Sequence, residues 1–372
     1  MTALIRRAAI IGVGMVGGSL GRALLTRGLA DEVIGIDEVP EVLKTAVSLG
    51  AVSRGATSLA AGIDGADLII MAAPVGSVLS LLPQLAGLIK KPVLVSDVCS
   101  TKKQVSDRAR EVLPAGVTFI GGHPMAGSEK GGVGALDEYL FENALYVLTA
   151  DESTDGSALE IMLQLVKGVG AVPFVLDAAR HDLLTAAISH LPHMAATALV
   201  STVAAHKEYK NELLALAAGG FRDTTRVAMG SPQMWKDICL SNEDNIINLL
   251  ENYIAELRRV CELIRKRDEP GLLAELRDAR EFRLQVPTKG KGILPQMFNL
   301  YVYVPDRPGI IGDVASHLGS AGVNIAEIEL LRVREEEGGP LRLGFLSGEG
   351  RKSAAALLHQ EGFRAEMEEG EN

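Results

Sequence analysis

Residues 8–37 read AAIIGVGMVGGSLGRALLTRGLADEVIGID, and the fold is decided by how this stretch is parsed. A short apolar run, 8–11, leads directly into Gly12-Val13-Gly14-Met15-Val16-Gly17. Residues 17–27 then carry helical spacing, and 32–36 form a second apolar run ending at Asp37. The G-x-G-x-x-G spacing is weak by itself in a chain holding 40 glycines. Its setting is what counts: it leaves a strand, opens a helix, and is followed by an acid at the end of the next strand. That is the first turn of a Rossmann-type unit. Gly12 permits the turn, Gly14 lets a pyrophosphate approach the backbone, and Gly17 lets helix and strand pack closely, with Val13, Met15 and Val16 completing the loop. Asp37 would accept hydrogen bonds from the adenine-ribose hydroxyls and repel a 2′-phosphate. Glu38 and Glu41 follow, and no arginine comes before Arg54, so NAD is expected rather than NADP.

Outward from this unit the alternation continues. Further strand-like runs at 68–72, 93–96, 117–120 and 145–148 are separated by helical pieces. Runs apolar on both faces suit a parallel sheet covered on each side, so residues 1–176 are expected to form a doubly wound α/β domain. Between 177 and 286 strand signal nearly vanishes. Five or six helices are expected there, one of them started by Ser231-Pro232. Residues 287–296, with Pro287, Gly290, Gly292 and Pro295, read as a linker. Residues 297–372 give the order βαββαβ, a ferredoxin-like arrangement.

Composition narrows the function. Hydrophobic residues make up 47% and charged residues 23%, a normal globular balance over 372 residues. The net charge of −10 argues against a nucleic-acid partner. Cys99, Cys239 and Cys261 are too few and too scattered for a disulfide framework or a zinc cluster, which favours a reducing, cytoplasmic setting. Residues 68–89 and 183–206 lack charged side chains. The first holds Pro74, Gly76 and Pro83, the second His190, Pro192 and His193, so both make poor membrane spans and are expected as buried segments.

Three segments stand out as candidates for a site, and the first, 121–129, is too polar and glycine-rich for core. In Gly121-Gly122-His123-Pro124 the proline holds His123 extended, at the carboxyl end of a strand where open α/β sheets bind ligands. An imidazole there suits a general base for an alcohol proton, although a loop histidine capping a carbonyl fits the same spacing. Ser189-His190-Leu191-Pro192-His193 puts two histidines on one helix. No third ligand lies nearby, so a position lining an interdomain cleft is expected and no metal. Asp223 and Arg226 share a helix face in Gly219-Gly220-Phe221-Arg222-Asp223-Thr224-Thr225-Arg226, where Asp223 could orient a guanidinium for a carboxylate ligand; a surface ion pair is the alternative. Trp235, the single tryptophan, follows and on its own would read as core.

Taken together, GVGMVGGSLGRAL (12–24), DVCSTK (97–102), GGHPMAGSE (121–129), SHLPH (189–193) and GGFRDTTR (219–226) resemble the prephenate dehydrogenase family. VPDRPGIIGDVASHLGSAGVNI (304–325) resembles an ACT regulatory domain. The resemblance covers essentially the whole chain and implies an NAD-binding domain, a helical domain that makes a homodimer, and an ACT domain. It implies that His123 takes the proton of the prephenate ring hydroxyl and that Ser100 hydrogen-bonds both. Thr101 adjoins Ser100, so a one-residue shift would exchange them. Arg226 would grip a substrate carboxylate, and His193, Glu129 and Trp235 would serve substrate binding or access. The implied product is 4-hydroxyphenylpyruvate.

In the ACT unit the resemblance implies an amino-acid site at Asp306, Pro308, Gly309, Ile310 and Asn324, with L-tyrosine as the expected feedback inhibitor. Arogenate dehydrogenase and a dual-specificity cyclohexadienyl dehydrogenase remain alternatives, as does a non-enzymatic sensor of NAD and amino acids. The 3-hydroxyacid dehydrogenases are disfavoured, because a lysine expected on the first long helix of the second domain is missing from residues 182–203. The charge is uneven: residues 298–372 hold 13 acids and 7 bases, so an anionic substrate would depend on local cations such as Arg226.

Overall fold

The structure is a computed structural model that describes residues 3–127, 131–286, 297–330 and 340–367. Two compact units divide the chain, residues 1–293 and 294–372. The expected linker, 287–296, lies outside the described residues.

The first unit opens with a sheet of eight strands: β1 (Ile5–Ile11), β2 (Ala30–Ile36), β3 (Arg54–Ala56), β4 (Leu68–Met71), β5 (Leu94–Asp97), β6 (Thr118–Pro124), β7 (Leu145–Thr149) and β8 (Val172–Leu176). Their order is β3-β2-β1-β4-β5-β6-β7-β8, which reverses direction between β1 and β4. Helices α1 (Met15–Thr26), α2 (Pro40–Ser48), α3 (Leu59–Ile63), α4 (Val75–Leu88), α5 (Lys103–Val112) and α6 (Gly156–Gly168) connect them. Strand β1 shows why these runs are apolar throughout. Ala8 and Ile10 pack with Leu20, Leu24 and Leu165 on one face, while Ala9 and Ile11 pack with Val78, Leu82 and Val105 on the other.

The sheet departs from the parallel expectation at one place. Strands β1 to β6 pair in parallel, but β7 runs antiparallel to β6, with Gly121 opposite Thr149 and Pro124 opposite Tyr146. The chain leaves β6 and re-enters β7 at the same end of the sheet, so no crossover is needed. Strand β8 then pairs in parallel with β7.

The helical part holds α7 (Ala178–Thr185), α8 (Leu191–Ala204), α9 (Lys210–Leu216), α10 (Gly219–Thr225), α11 (Pro232–Ser241), α12 (Glu243–Lys266) and α13 (Glu269–Gln285). That is seven α-helices among the described residues, more than expected, because the stretch between α8 and α12 breaks into short pieces. A wide π turn over Ala186–His190 joins α7 to α8, with the Leu191 N–H reaching the Ala186 carbonyl five residues back. Pro192 has no N–H to offer the regular ladder, and the wide turn adds the residue that brings His190 onto the face of Asp182.

The run Ala178–Ala204 is long and apolar enough to cross a bilayer by length and composition alone. The expectation of a buried apolar segment is corrected here. His181, Asp182, Thr185, His190 and His193 form its buried face, whereas Leu183, Leu184, Ile188, Leu199 and Val200 point outward. Helix α12 likewise exposes Ile247, Ile254, Leu257 and Ile264.

In the second unit β9 (Phe298–Tyr303), α14 (Ile310–Ser320), β10 (Glu327–Leu330), β11 (Pro340–Phe345), α15 (Gly348–Gln360) and β12 (Arg364–Met367) follow in the ferredoxin-like order. The sheet is β10-β11-β9-β12, antiparallel throughout. Leu300, Val302, Leu341, Leu343 and Phe345 pack beneath Val314, Leu318, Ala354 and Leu358 of the helices. The second strand starts at Glu327, and Asn324 precedes it.

Candidate active site

The loop from β1 to α1 is built around three glycines with different duties. Gly12 has φ +92°, and a Cβ there would lie 2.6 Å from the Ala72 carbonyl oxygen. A Cβ on Gly17 would come within 2.1 Å of the Gly12 carbonyl. Around Gly14 nothing lies within 4 Å of such an atom, and no side chain caps the helix that begins at Met15. An open backbone at an uncapped helix N-terminus is what a pyrophosphate requires. Asp37 closes the loop from the end of β2: Oδ2 accepts from the Val13 N–H at 3.2 Å, and Oδ1 accepts from the Val39 N–H at 3.1 Å. Each oxygen keeps a further lone pair for ribose hydroxyls. The cradle thus fits a dinucleotide at the point where the strand order reverses.

Three strands along the sheet from β1, His123 sits near the carboxyl end of β6. Its strand is clamped from behind by a buried ion pair. Asp97 accepts from the Cys99 N–H at 3.0 Å, from the Gly122 N–H at 3.1 Å, and from Lys102 Nζ in a short contact. Lys102 Nζ also donates to the Gly122 carbonyl at 2.7 Å. Both peptide groups flanking His123's neighbour are therefore fixed. A Cβ on Gly122 would lie 2.5 Å from the Asp97 carbonyl, so glycine is required beside the histidine.

His123 and Ser100 line one cleft of about 240 Å³, which Trp235, His190, Ser189 and Met234 close from the helical side. Thr101 is buried elsewhere, its Oγ1 sharing a 2.8 Å hydrogen bond with Ser241 Oγ. Of the two adjacent hydroxyls, Ser100 is therefore the one on the cleft. A larger cavity of about 400 Å³ lies between α5, the start of β6 and the end of β7, and contains none of these groups.

Burial pushes the His123 imidazole well below its ordinary value, with His181, Lys102 and His190 acting in the same direction. Burial likewise lowers His190, to about 4, and lowers His193. His193 stacks on Trp235 with ring centroids 3.5 Å apart and planes inclined by 14°. Its Nδ1 is buried and has no hydrogen-bond partner among the described residues. Trp235, which composition alone would place in the core, instead stands at the cleft wall. Helix α10 carries Asp223 on an exposed turn, and Arg226 opens the 3-10 turn Arg226–Met229 that follows. That turn ends at Gly230, where a Cβ would meet Trp235 Nε1 at 2.5 Å and His193 Cε1 at 3.2 Å. The segment bearing Arg226 thus runs directly onto the stacked pair. Glu129 lies outside the described residues.

Sequence reading missed several of the groups that build this site. His181 Nε2 lies 2.8 Å from His123 Nδ1, and Asp182 Oδ1 lies 2.8 Å from His181 Nδ1. Asn242 Nδ2 donates to the Asp182 carbonyl at 2.8 Å and to His190 Nδ1 at 3.3 Å. Adjacent His and Asp on an otherwise apolar helix was the available signal. In the second unit Asp306, Pro308 and Gly309 are exposed on the turn after β9, and Ile310 is buried at the start of α14. Gly309 adopts φ +88° as the helix N-cap. Exposed Asn324 lies in the connection leaving α14.

Comparison with known proteins agrees with this geometry. Residues 20–175 match the model of the prephenate dehydrogenase nucleotide-binding domain, and residues 177–278 match that of the prephenate dehydrogenase dimerization domain. The chain is 38% identical over 365 residues to a prephenate dehydrogenase of Bacillus subtilis, covering 96% of each. A crystal structure of prephenate dehydrogenase from Aquifex aeolicus with hydroxyphenyl propionate and NAD+ superposes with a TM-score of 0.72 at 31% identity, over 76% of this chain and 98% of that one. A Synechocystis arogenate dehydrogenase superposes with a TM-score of 0.67 at 30% identity, over 76% of this chain and 100% of that one.

Proposed function

The chain belongs to the prephenate dehydrogenase family of NAD-dependent oxidoreductases, and from that premise we propose how its own residues divide the work. The glycine loop 12–17, with Val13, Met15 and Val16 supplying backbone, and Asp37 hold NAD, which when bound supplies the hydride acceptor. His123 takes the proton of the ring 4-hydroxyl, and Ser100 fixes that hydroxyl against it. A neutral, buried imidazole is in the right state to accept a proton.

Loss of hydride and proton at C4 leaves a carbonyl conjugated with the carbon that carries the ring carboxylate. CO₂ then departs, and the aromatic ring of 4-hydroxyphenylpyruvate makes the step practically irreversible. The protein's part is alignment and anchoring. Arg226, oriented by Asp223, binds a carboxylate. His193, with its unpartnered buried Nδ1, meets the side-chain polar group beside Trp235, and Glu129 guards access.

The observation carrying this reading is the shared cleft, where His123 and Ser100 of the nucleotide-binding part face Trp235 and His190 of the helical part. Absorbance at 340 nm tests it. NAD+ with prephenate should give reduced cofactor, and no signal would remove the reading. The likeness to an arogenate dehydrogenase supports a second substrate reading, separated by running the same assay with arogenate.

The division 1–176, 177–286, 287–296 and 297–372 goes with this assignment, as does a cytoplasmic homodimer assembled through the outward apolar faces of α7, α8 and α12. The ferredoxin-like unit is read as an ACT domain that takes L-tyrosine at Asp306, Pro308, Gly309, Ile310 and Asn324 and feeds back on the site. Millimolar tyrosine should lower activity and raise the melting temperature; no change in either would withdraw that assignment.

A further inference from the structure

His123 is held in a chain of three residues: His123 Nδ1 to His181 Nε2 at 2.8 Å, and His181 Nδ1 to Asp182 Oδ1 at 2.8 Å. Distances alone leave open which nitrogen of each ring carries a proton, but Asp182 settles the direction. Its carboxylate also accepts from the backbone N–H groups of Lys102 at 2.7 Å and Lys103 at 2.8 Å, at the N-terminus of α5. Two N–H donors and a helix N-terminus stabilise an ionised, acceptor-only carboxylate. The Nδ1 of His181 must then donate, which in the neutral ring leaves Nε2 as an acceptor. His123 Nδ1 must in turn donate to it, and His123 Nε2 is left with the lone pair.

We propose that His181 and Asp182 are positioning residues that lock His123 in its Nδ1–H tautomer, so that Nε2 is unprotonated and presented to the cleft. This rests on the reading of His123 as the base. With the opposite tautomer Nε2 would carry a hydrogen and could only donate to the substrate hydroxyl. A free histidine side chain in water prefers that opposite, Nε2–H form, so the base needs to be held against its own preference. When Nε2 takes the hydroxyl proton, the Nδ1–H bond to His181 stays in place and strengthens, because an imidazolium is the better donor. Asp182 ties this to the fold: it caps α5 with the same carboxylate that orients His181. The other groups facing the pair are Lys102 with its partner Asp97, and His190 from the π turn. Loss of the correct tautomer costs up to about 10⁴ in turnover in a Ser-His-Asp triad.

The test uses the full chain, whose 7 histidines make selective 15N labelling tractable. In the enzyme without cofactor or substrate, at pH 7.5, the His123 Nδ1 resonance should show a bonded proton and Nε2 a lone pair. A His123 found as Nε2–H overturns the proposal, and this reading needs no variant to fold. His181→Phe removes the acceptor and should return His123 to Nε2–H, with kcat down about 100-fold and KM for NAD+ and prephenate within about twofold. His181→Gln restores a carbonyl acceptor and should recover about tenfold of the lost kcat. Equal defects in the two variants, or rises in KM that account for the loss, would make His181 merely structural. The two ideas fail separately. Activity retained in His123→Asn refutes the base itself, whereas an inactive His123→Asn beside an unaffected His181→Phe refutes only the relay.

Discussion

The imidazole of His193 lies flat on the indole of Trp235, centroids 3.5 Å apart, and the chain leaving Arg226 passes hard against both rings at Gly230. The segment proposed to bind a carboxylate is thereby packed against the single tryptophan. Prephenate binding should therefore change Trp235 fluorescence, and an unchanged spectrum at saturating substrate would place the ligand elsewhere. Gly230→Ala should disturb the stack, because the methyl would meet the rigid indole at 2.5 Å and the imidazole at 3.2 Å, and should raise KM for prephenate several-fold.

Arg226→Ala should act mainly on binding. Its expected signature is a rise in KM for prephenate of 10-fold or more, from about 1.5–3 kcal/mol for a hydrogen bond to a charged group, with a smaller change in kcat. Steady-state kinetics at fixed, saturating NAD+ decide it; an unchanged KM takes Arg226 out of the carboxylate role.

His123→Asn should reduce turnover by at least about 100-fold, the usual scale for losing a general base, while the Kd for NAD+ measured by calorimetry stays within about twofold. Parallel loss of cofactor affinity would instead identify a structural residue.

The glycine loop offers a paired comparison. Gly14→Ala meets no protein atom, so it should keep its melting temperature and lose NAD+ affinity, the methyl standing where the pyrophosphate needs backbone. Gly17→Ala drives its methyl into the Gly12 carbonyl and should lose both. If Gly14→Ala binds NAD+ as the unaltered chain does, the phosphates do not pass over Gly14.

Acid should unfold the catalytic unit through its buried histidines. His123, His190 and His193 are all lowered by burial, His190 from 6.5 to about 4. A lowered folded value means that the unfolded chain binds the proton first. The stability is thus present above pH 6.5 and is lost as pH falls from there through about 4. Each such histidine contributes up to about 1.4 kcal/mol per pH unit within its window. Urea midpoints taken between pH 7 and pH 4 should fall steeply, and His190→Asn should flatten the slope. A midpoint independent of pH in that range would contradict the burial.

Much of this site was legible because its signals are local. Gly12, Gly14 and Gly17 must be glycine for reasons acting within one turn, and Asp37 marks a strand end. His123 is fixed by the proline beside it. Other features depend on residues far apart in the chain. Nothing in Leu145–Thr149 encodes direction, since an apolar run reads alike in parallel and antiparallel pairing. His181 acquires its meaning from His123, 58 positions away, and Thr101 is distinguished from Ser100 only by Ser241 across the fold. The helix Ala178–Ala204 misled for a related reason. Its apolar residues outnumber its polar ones, yet the polar ones are buried, because the surface it meets within the chain is the candidate active site and not a hydrophobic core.

The Asp97–Lys102 pair behind Gly122 has a bearing on how this enzyme ages and heats. His123, the proposed proton acceptor, is carried on a strand held at both peptides of Gly122 by a fully buried ion pair, and breaking one partner of such a pair costs about 3–5 kcal/mol. Loosening the strand beside His123 therefore means breaking that pair. Activity during thermal challenge should consequently be all or nothing. Surviving molecules should work at full rate, so that residual activity counts folded chains; a partial rate per folded molecule would contradict this.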